Sequence, residues 1–194
     1  MTLPIAFAVA YLLGAIPTSY IVTYLVTGRD IRSLGNGNPG TMNVWDNVGA
    51  VPAVIVGLGD VGKGMAAVTV AYWLGFGDVV AVACGLLAVM GHDYSLFLRF
   101  HGGNGTAAAV GALLALVPEA TLPAAGVAMA ITILLHSKRI GGLVGLLLVP
   151  ALAAWQDYPD VRILGVVILL TVVALKIIRF EGFTPVRSRT RPPR

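Results

Sequence analysis

Hydrophobic residues run along this chain in blocks, separated by short polar interruptions. A sliding window finds apolar stretches near 3–26, 51–75, 78–91, 105–118, 120–135, 141–155 and 161–178. Blocks of this kind predict an all-α, polytopic membrane protein with about seven transmembrane helices. Several hold only about 14 to 16 residues, short of the ~20 needed to cross hydrocarbon upright, so they continue into flanking polar residues or cross where the bilayer is thinned. Pro17 lies inside the first block and, having no N–H to give, predicts a bend there. The domain organisation that follows is a single transmembrane domain over 1–178 and a basic tail over 179–194.

The interruptions carry the charge, and its sign alternates. Arg29 and Arg32 follow the first block, Arg99 lies between the third and fourth, Lys138 and Arg139 between the fifth and sixth, and an Arg-rich tail follows the seventh. The intervening loops hold Asp78, Glu119, Asp157 and Asp160, with only Arg162 interrupting the pattern. Under the positive-inside rule this places the N-terminus outside and the C-terminus in the cytoplasm. An even number of spans would break the alternation.

Composition agrees with lipid as the solvent: 57% of residues are hydrophobic, only 11% are charged, and the mean hydropathy is +0.87. The net charge of +4 would admit nucleic acid, but Arg187, Arg189, Arg191 and Arg194 cluster at the end, where a membrane-surface tail explains them; nucleic acid is not expected as a partner. Cys84 stands alone, so no disulfide framework, metal or cofactor is expected. The first block has no basic region before it and no small-residue cleavage site, and reads as a retained span.

Two interruptions are rich in glycine: "LGNGNPGTMN" at 34–43 and "FHGGNGT" at 100–106. With the Lys138/Arg139 turn they fall on the cytoplasmic side of the expected topology. Glycine lets successive N–H groups converge on an anion such as phosphate, and the second loop leads into an Ala-rich helix whose N-terminal dipole adds to the same field. Tight turns alone would also use Gly102, Gly103 and Gly105. In "GDVGKG", Asp60 and Lys63 stand at helical i,i+3 spacing within an apolar block; they mark function or form a structural ion pair. His92 and His101 flank the third loop as acid–base candidates or as interfacial residues, whereas His136 reads as interfacial.

"GAIPTSY" at 14–20, "GNGNPGTMNV" at 35–44, "DVGKG" at 60–64 and "GHDYSLFLRFHGGNGTA" at 91–107 resemble, in order and spacing, the bacterial acyl-phosphate:glycerol-3-phosphate acyltransferases of phospholipid synthesis. The resemblance covers roughly the first 110 residues; beyond them it rests mainly on span count. It implies a glycerol-3-phosphate acyltransferase-like membrane fold whose cytoplasmic loops bind glycerol 3-phosphate and an acyl phosphate. Substrate binding would fall to Asn36, Gly37, Asn38, Gly40, Asn43, Lys63, His92, Gly102, Gly103, Asn104 and Gly105, and catalysis, if retained, to Lys63 and His92.

Several positions depart from the family pattern. Asn36 replaces a serine, Asp46 an arginine and Asn104 a lysine, while Gly142 and Gly145 stand where the family has serines; "RFEGFTPVRS" gives no clear match to the final motif. The two lost cations and one new anion change the local charge by about three units, against tight binding of a doubly negative phosphate. The residues therefore favour a non-catalytic member that binds a lipid or pigment tail, or packs as a subunit with other membrane proteins. The alternative is an active acyltransferase making lysophosphatidic acid.

Overall fold

The computed structural model describes residues 2–183, apart from the side chains of 138, 139 and 180–183, and every regular element in it is helical. Helix α1 (Leu3–Ala15) is followed at once by α2 (Thr18–Thr27). The expected bend at Pro17 is a complete break, with Ile16 at φ −54°, ψ 119° and Pro17 at φ −88°, ψ 68°. A proline ring pushes its predecessor out of the α region, so both residues leave the helix and carbonyls at the break lose their i+4 donors. A short helix α3 (Thr41–Asn47) follows the first glycine loop. Then come α4 (Ala50–Trp73), α5 (Asp78–Asp93), α6 (Thr106–Leu116), α7 (Pro118–Leu134), α8 (Lys138–Trp155) and α9 (Asp160–Phe183).

Among the described residues, four segments are long and apolar enough to cross a membrane: Leu3–Thr27, Ala50–Trp73, Asp78–Leu98 and Asp160–Arg179. Three apolar helices are shorter: Thr106–Leu116, Pro118–Leu134 and Ile140–Trp155. They correspond to the shorter blocks of the sequence. At 1.5 Å per residue α6 is about 16 Å long, roughly half a hydrocarbon core. Only Val117 separates it from α7, which Pro118 opens at a position where its missing N–H costs nothing. Helix α9 continues through Phe183, so residues 179–183, assigned to the basic tail by sequence, are helical; 184–194 lie outside the described residues.

Side-chain size sorts opposite to a soluble protein. Trp73, Trp155 and Leu25 are 84%, 78% and 78% exposed, facing where lipid would lie, while the centre is built from Ala, Val and Gly with buried polar residues among them. Lipid tails are as apolar as leucine, so helices associate through close packing, and glycine permits it. A Cβ on Gly64 would collide with the Ala108 carbonyl oxygen, and one on Gly111 with the Val61 carbonyl, which presses α4 against α6. Gly14 against Ala88 and Gly91 against Tyr11 do the same for α1 and α5.

Arg162, the residue that interrupts the charge alternation, is neutralised where it stands. Its Nε donates to Asp78 Oδ1 at 2.9 Å and its Nη1 to the Leu116 carbonyl at 3.2 Å, and the guanidinium lies over the rings of Tyr72 and Tyr158 at 5.4 and 5.9 Å. Tyr72 donates its hydroxyl to the same Asp78 oxygen at 2.8 Å. One side chain thus ties α9 to α4, α5 and the end of α6.

Candidate active site

The break at Pro17 is the starting point. Ser95 Oγ donates to the Ala15 carbonyl at 2.5 Å and Lys63 Nζ to the Ile16 carbonyl at 2.9 Å, so two acceptors freed by the proline are taken by side chains from other elements. Lys63 also pairs with Asp60 Oδ1 at 2.7 Å, as the i,i+3 spacing predicts, and Thr18 Oγ1, one residue past the break, donates to that same oxygen. His92 completes the cluster from the end of α5, with Nδ1 3.5 Å from Asp60 Oδ1, longer than a formed hydrogen bond. Asp60, Lys63 and His92 are 2%, 7% and 7% exposed, so carboxylate and ammonium are held away from water and balance each other.

The first glycine loop is braced from within. Asn43 is buried, donates Nδ2 to the carbonyls of Ile31 and Leu34 at 3.3 and 3.0 Å, and accepts from Asn47 at 2.9 Å. Its polar atoms are thus engaged in holding the loop. Asn36 is exposed and accepts from the Asn38 N–H at 3.0 Å, an Asx turn that Gly37, at φ +76°, completes. Ser19 Oγ donates to the Pro39 carbonyl at 2.8 Å and fastens the loop to α2. Arg32 forks onto Asp30, with Nη2 2.6 Å from Oδ2, and reaches the Leu98 carbonyl at 3.2 Å, joining this loop to the second one. The hydrogen bonds from Arg32 hold the Asp30 carboxyl below its ordinary value.

The second loop folds back over the cluster. Arg99 and Phe100 both adopt left-handed backbone, φ 54° and 64°, which reverses the chain so that the N–H groups of Gly102 and Gly103 reach the carbonyls of Asp93 and His92 at 3.1 and 3.2 Å. His92 Nε2 occupies the space a side chain on Gly103 would need, with the Pro39 carbonyl close by. Gly105, at φ +69°, then caps α6. The glycines here make a turn and also let two loops and a histidine meet.

The structure therefore brings together Lys63, His92 and Gly103 with Thr18, Ser19, Pro39, Asp60 and Ser95 around one narrow pocket. Asn38 Oδ1 and Asn104 Oδ1, on the two glycine loops, and Thr41 Oγ1, at the start of α3, are buried without hydrogen-bond partners. Asn36 and Asp46 are exposed, outside that lining. His101 is exposed, its Nδ1 2.7 Å from the Arg99 carbonyl, and His136 is exposed at a turn. Gly142 meets nothing, and Gly145 packs on Ala128 of α7. Thr18, Ser19, Asp93 and Ser95 were not singled out from the sequence. The signal was there in "PTS" directly after a helix-breaking proline, and in "HDYS", a polar run ending an apolar block.

The profile of the glycerol-3-phosphate acyltransferase family matches residues 4–182. A glycerol-3-phosphate acyltransferase 2 of Moorella thermoacetica is 38% identical over 155 residues, 80% of this chain and 79% of that protein. The glycerol-3-phosphate acyltransferase of Pseudomonas aeruginosa is 40% identical over 148 residues, 76% and 78% of the two chains. A further relative, from Dehalococcoides mccartyi, is 44% identical over 115 residues, and the match spans 55% of its length. Among solved structures, the integral membrane glycerol 3-phosphate acyltransferase PlsY in its glycerol 3-phosphate form superposes with a TM-score of 0.85 at 26% identity, covering 94% of this chain and 91% of that one. Its lysophosphatidic acid form gives 0.80 at 25% identity.

Proposed function

The chain belongs to the glycerol-3-phosphate acyltransferase family, and from that premise we propose that it is an active enzyme transferring an acyl group from an acyl phosphate to glycerol 3-phosphate. The observation that carries this reading is the Asp60–Lys63–His92 cluster, buried at the meeting point of the two glycine loops with His92 Nε2 beside Gly103. In the reaction an acceptor hydroxyl oxygen attacks the acyl carbonyl, and its proton passes to His92 Nε2. The ester forms as the bond to phosphate breaks, and the products are lysophosphatidic acid and phosphate. Lys63 fixes Asp60, and Asp60 faces His92 Nδ1, so Lys63 is a positioning residue. The backbone N–H groups of Asn104 and Gly105 and of the uncapped first turn of α6, with the side-chain amides of Asn38 and Asn104, are the proposed phosphate ligands, replacing the family's cations; the N–H groups of Gly37, Gly40, Gly102 and Gly103 are taken up in shaping the loops that present them. The loops face the cytoplasm of a bacterial inner membrane, with the N-terminus outside and seven spans, as the loop charges indicate.

The residues alone rank a non-catalytic role first; the family match along nearly the whole chain, and relatives named as acyltransferases, support the active reading better. One set of observations still favours a non-catalytic, lipid-binding protein or complex subunit: Asp46 and Asn104 in place of cations, and no side chain at Gly142 or Gly145. The deciding experiment uses purified protein in nanodiscs with a fatty acyl phosphate. Glycerol 3-phosphate-dependent phosphate release, with lysophosphatidic acid seen by mass spectrometry and a loss of roughly 10² or more in His92→Ala, is expected. Folded protein that releases no phosphate would establish the non-catalytic reading instead.

A further inference from the structure

Asp93 is a carboxylate that the proposed chemistry leaves unused. It is 1% exposed, and neither of its carboxylate oxygens has a hydrogen-bond partner. Its carbonyl is fully occupied, accepting from the Gly102 N–H at 3.1 Å and from Lys176 Nζ at 3.4 Å. Lys176 comes from α9 and rests its ammonium 4.1 Å from the Tyr94 ring centre, while Lys63, from α4, is engaged with Asp60 and the Ile16 carbonyl. Among the described residues no ion pair includes the Asp93 side chain. Its Oδ1 lies against Gly105, where an added Cβ would stand 2.6 Å away, and so sits at the start of α6, a helix end with no side-chain cap.

A buried carboxylate without a donor is among the most costly arrangements a protein can hold, and it persists where a ligand or proton satisfies it. Beside it the first turn of α6 presents uncapped N–H donors that attract an anion. Phosphate suits those donors and is repelled by Asp93; a hydroxyl group suits Asp93. A ligand carrying both groups fits the pair. Resting on the acyltransferase reading above, we infer that Asp93 binds a hydroxyl of the acyl acceptor, and thereby selects a polyol phosphate over a phosphate that lacks that hydroxyl.

The test compares glycerol 3-phosphate with 3-hydroxypropyl phosphate, which lacks the central hydroxyl, in nanodisc-reconstituted protein. Wild type is expected to prefer glycerol 3-phosphate in kcat/KM by roughly ten- to hundredfold, the effect of one hydrogen bond to a charged group. Asp93→Ala should bring glycerol 3-phosphate down to the level of the analogue and leave the analogue within about twofold. Asp93→Asn, which keeps shape and an acceptor oxygen, should fall between the two and guards against misfolding of the alanine variant. Equal rates for both acceptors in wild type, or equal losses for both in folded Asp93→Asn, would overturn the inference while leaving the acyltransferase reading intact. Thermal stabilisation by each compound without donor provides a separate readout. If no acceptor supports turnover, the acyltransferase reading fails, and the inference then stands only if glycerol 3-phosphate stabilises wild type more than the analogue does and Asp93→Asn removes that difference.

Discussion

Removing both partners of the Asp60–Lys63 pair should harm the protein much less than the two single removals add up to. The two groups stand 2.7 Å apart with side chains only 2% and 6% exposed. At an effective dielectric of about 20 their attraction is about 6 kcal/mol, most of it offset by the desolvation both have undergone. Lys63→Met leaves Asp60 with Thr18 as its remaining close donor and the Ile16 carbonyl with only the Thr18 N–H, while Asp60→Leu leaves a buried ammonium. Each single change should cost about 3–5 kcal/mol, the range for an uncompensated buried charge. The double variant leaves no charge unpaired, so its cost should fall below the sum of the singles by about 3 kcal/mol, the upper end of couplings between touching residues. Thermal unfolding in one detergent, monitored by circular dichroism and calibrated on the single variants, measures the cycle. Additive costs would refute the reasoning and mean that the pair neither neutralises itself nor depends on burial.

Arg162→Ala should destabilise the fold by about 2 kcal/mol in thermal unfolding, because it unlatches α9 from Asp78, Leu116 and two tyrosines; Arg162→Lys should restore only part, since an ammonium lacks the planar face that lies over the two tyrosine rings and the fixed spacing of Nε and Nη1. A variant indistinguishable from wild type would show that the clasp contributes nothing. Gly64→Ala should cost about 1–3 kcal/mol by forcing α4 away from the Ala108 backbone, whereas Gly62→Ala, with nothing within 4 Å, should leave the unfolding temperature unchanged or raised. For Asp30, a folded value below 3.8 means that its tie to Arg32 is fully present above the unfolded value and is lost as pH falls through the lower, folded one. Carbon-13 titration of the Asp30 carboxyl should therefore give a midpoint below 3.8, and one at or above it would contradict the fork seen here.

How much of this was legible depends on whether the determining force was local. Hydrophobic blocks map onto helices because burial in lipid acts on each segment by itself, and the Asp60–Lys63 pair was legible because three residues of helix bring them to one face. Asn43 shows the opposite case: a polar residue in a glycine loop looks the same in sequence whether it meets a ligand or its own backbone, and only the fold shows its amide reaching Ile31 and Leu34. Asp93 and Ser95 escaped notice because their importance arises from partners, present or absent, on other elements. Pro17 joins the two cases. Its effect on its own helix could be read from the ring, although as a bend rather than a break. What could not be read is that the acceptors released there would be met by Ser95 from 80 positions along the chain and by Lys63 from 47. A helix break inside a membrane needs donors from elsewhere, and here one of those donors is the lysine that also neutralises Asp60. Stability and site geometry are therefore coupled at this point: a change at residue 17 that closed the helix would leave Lys63 without the Ile16 carbonyl and so loosen the carboxylate that faces His92.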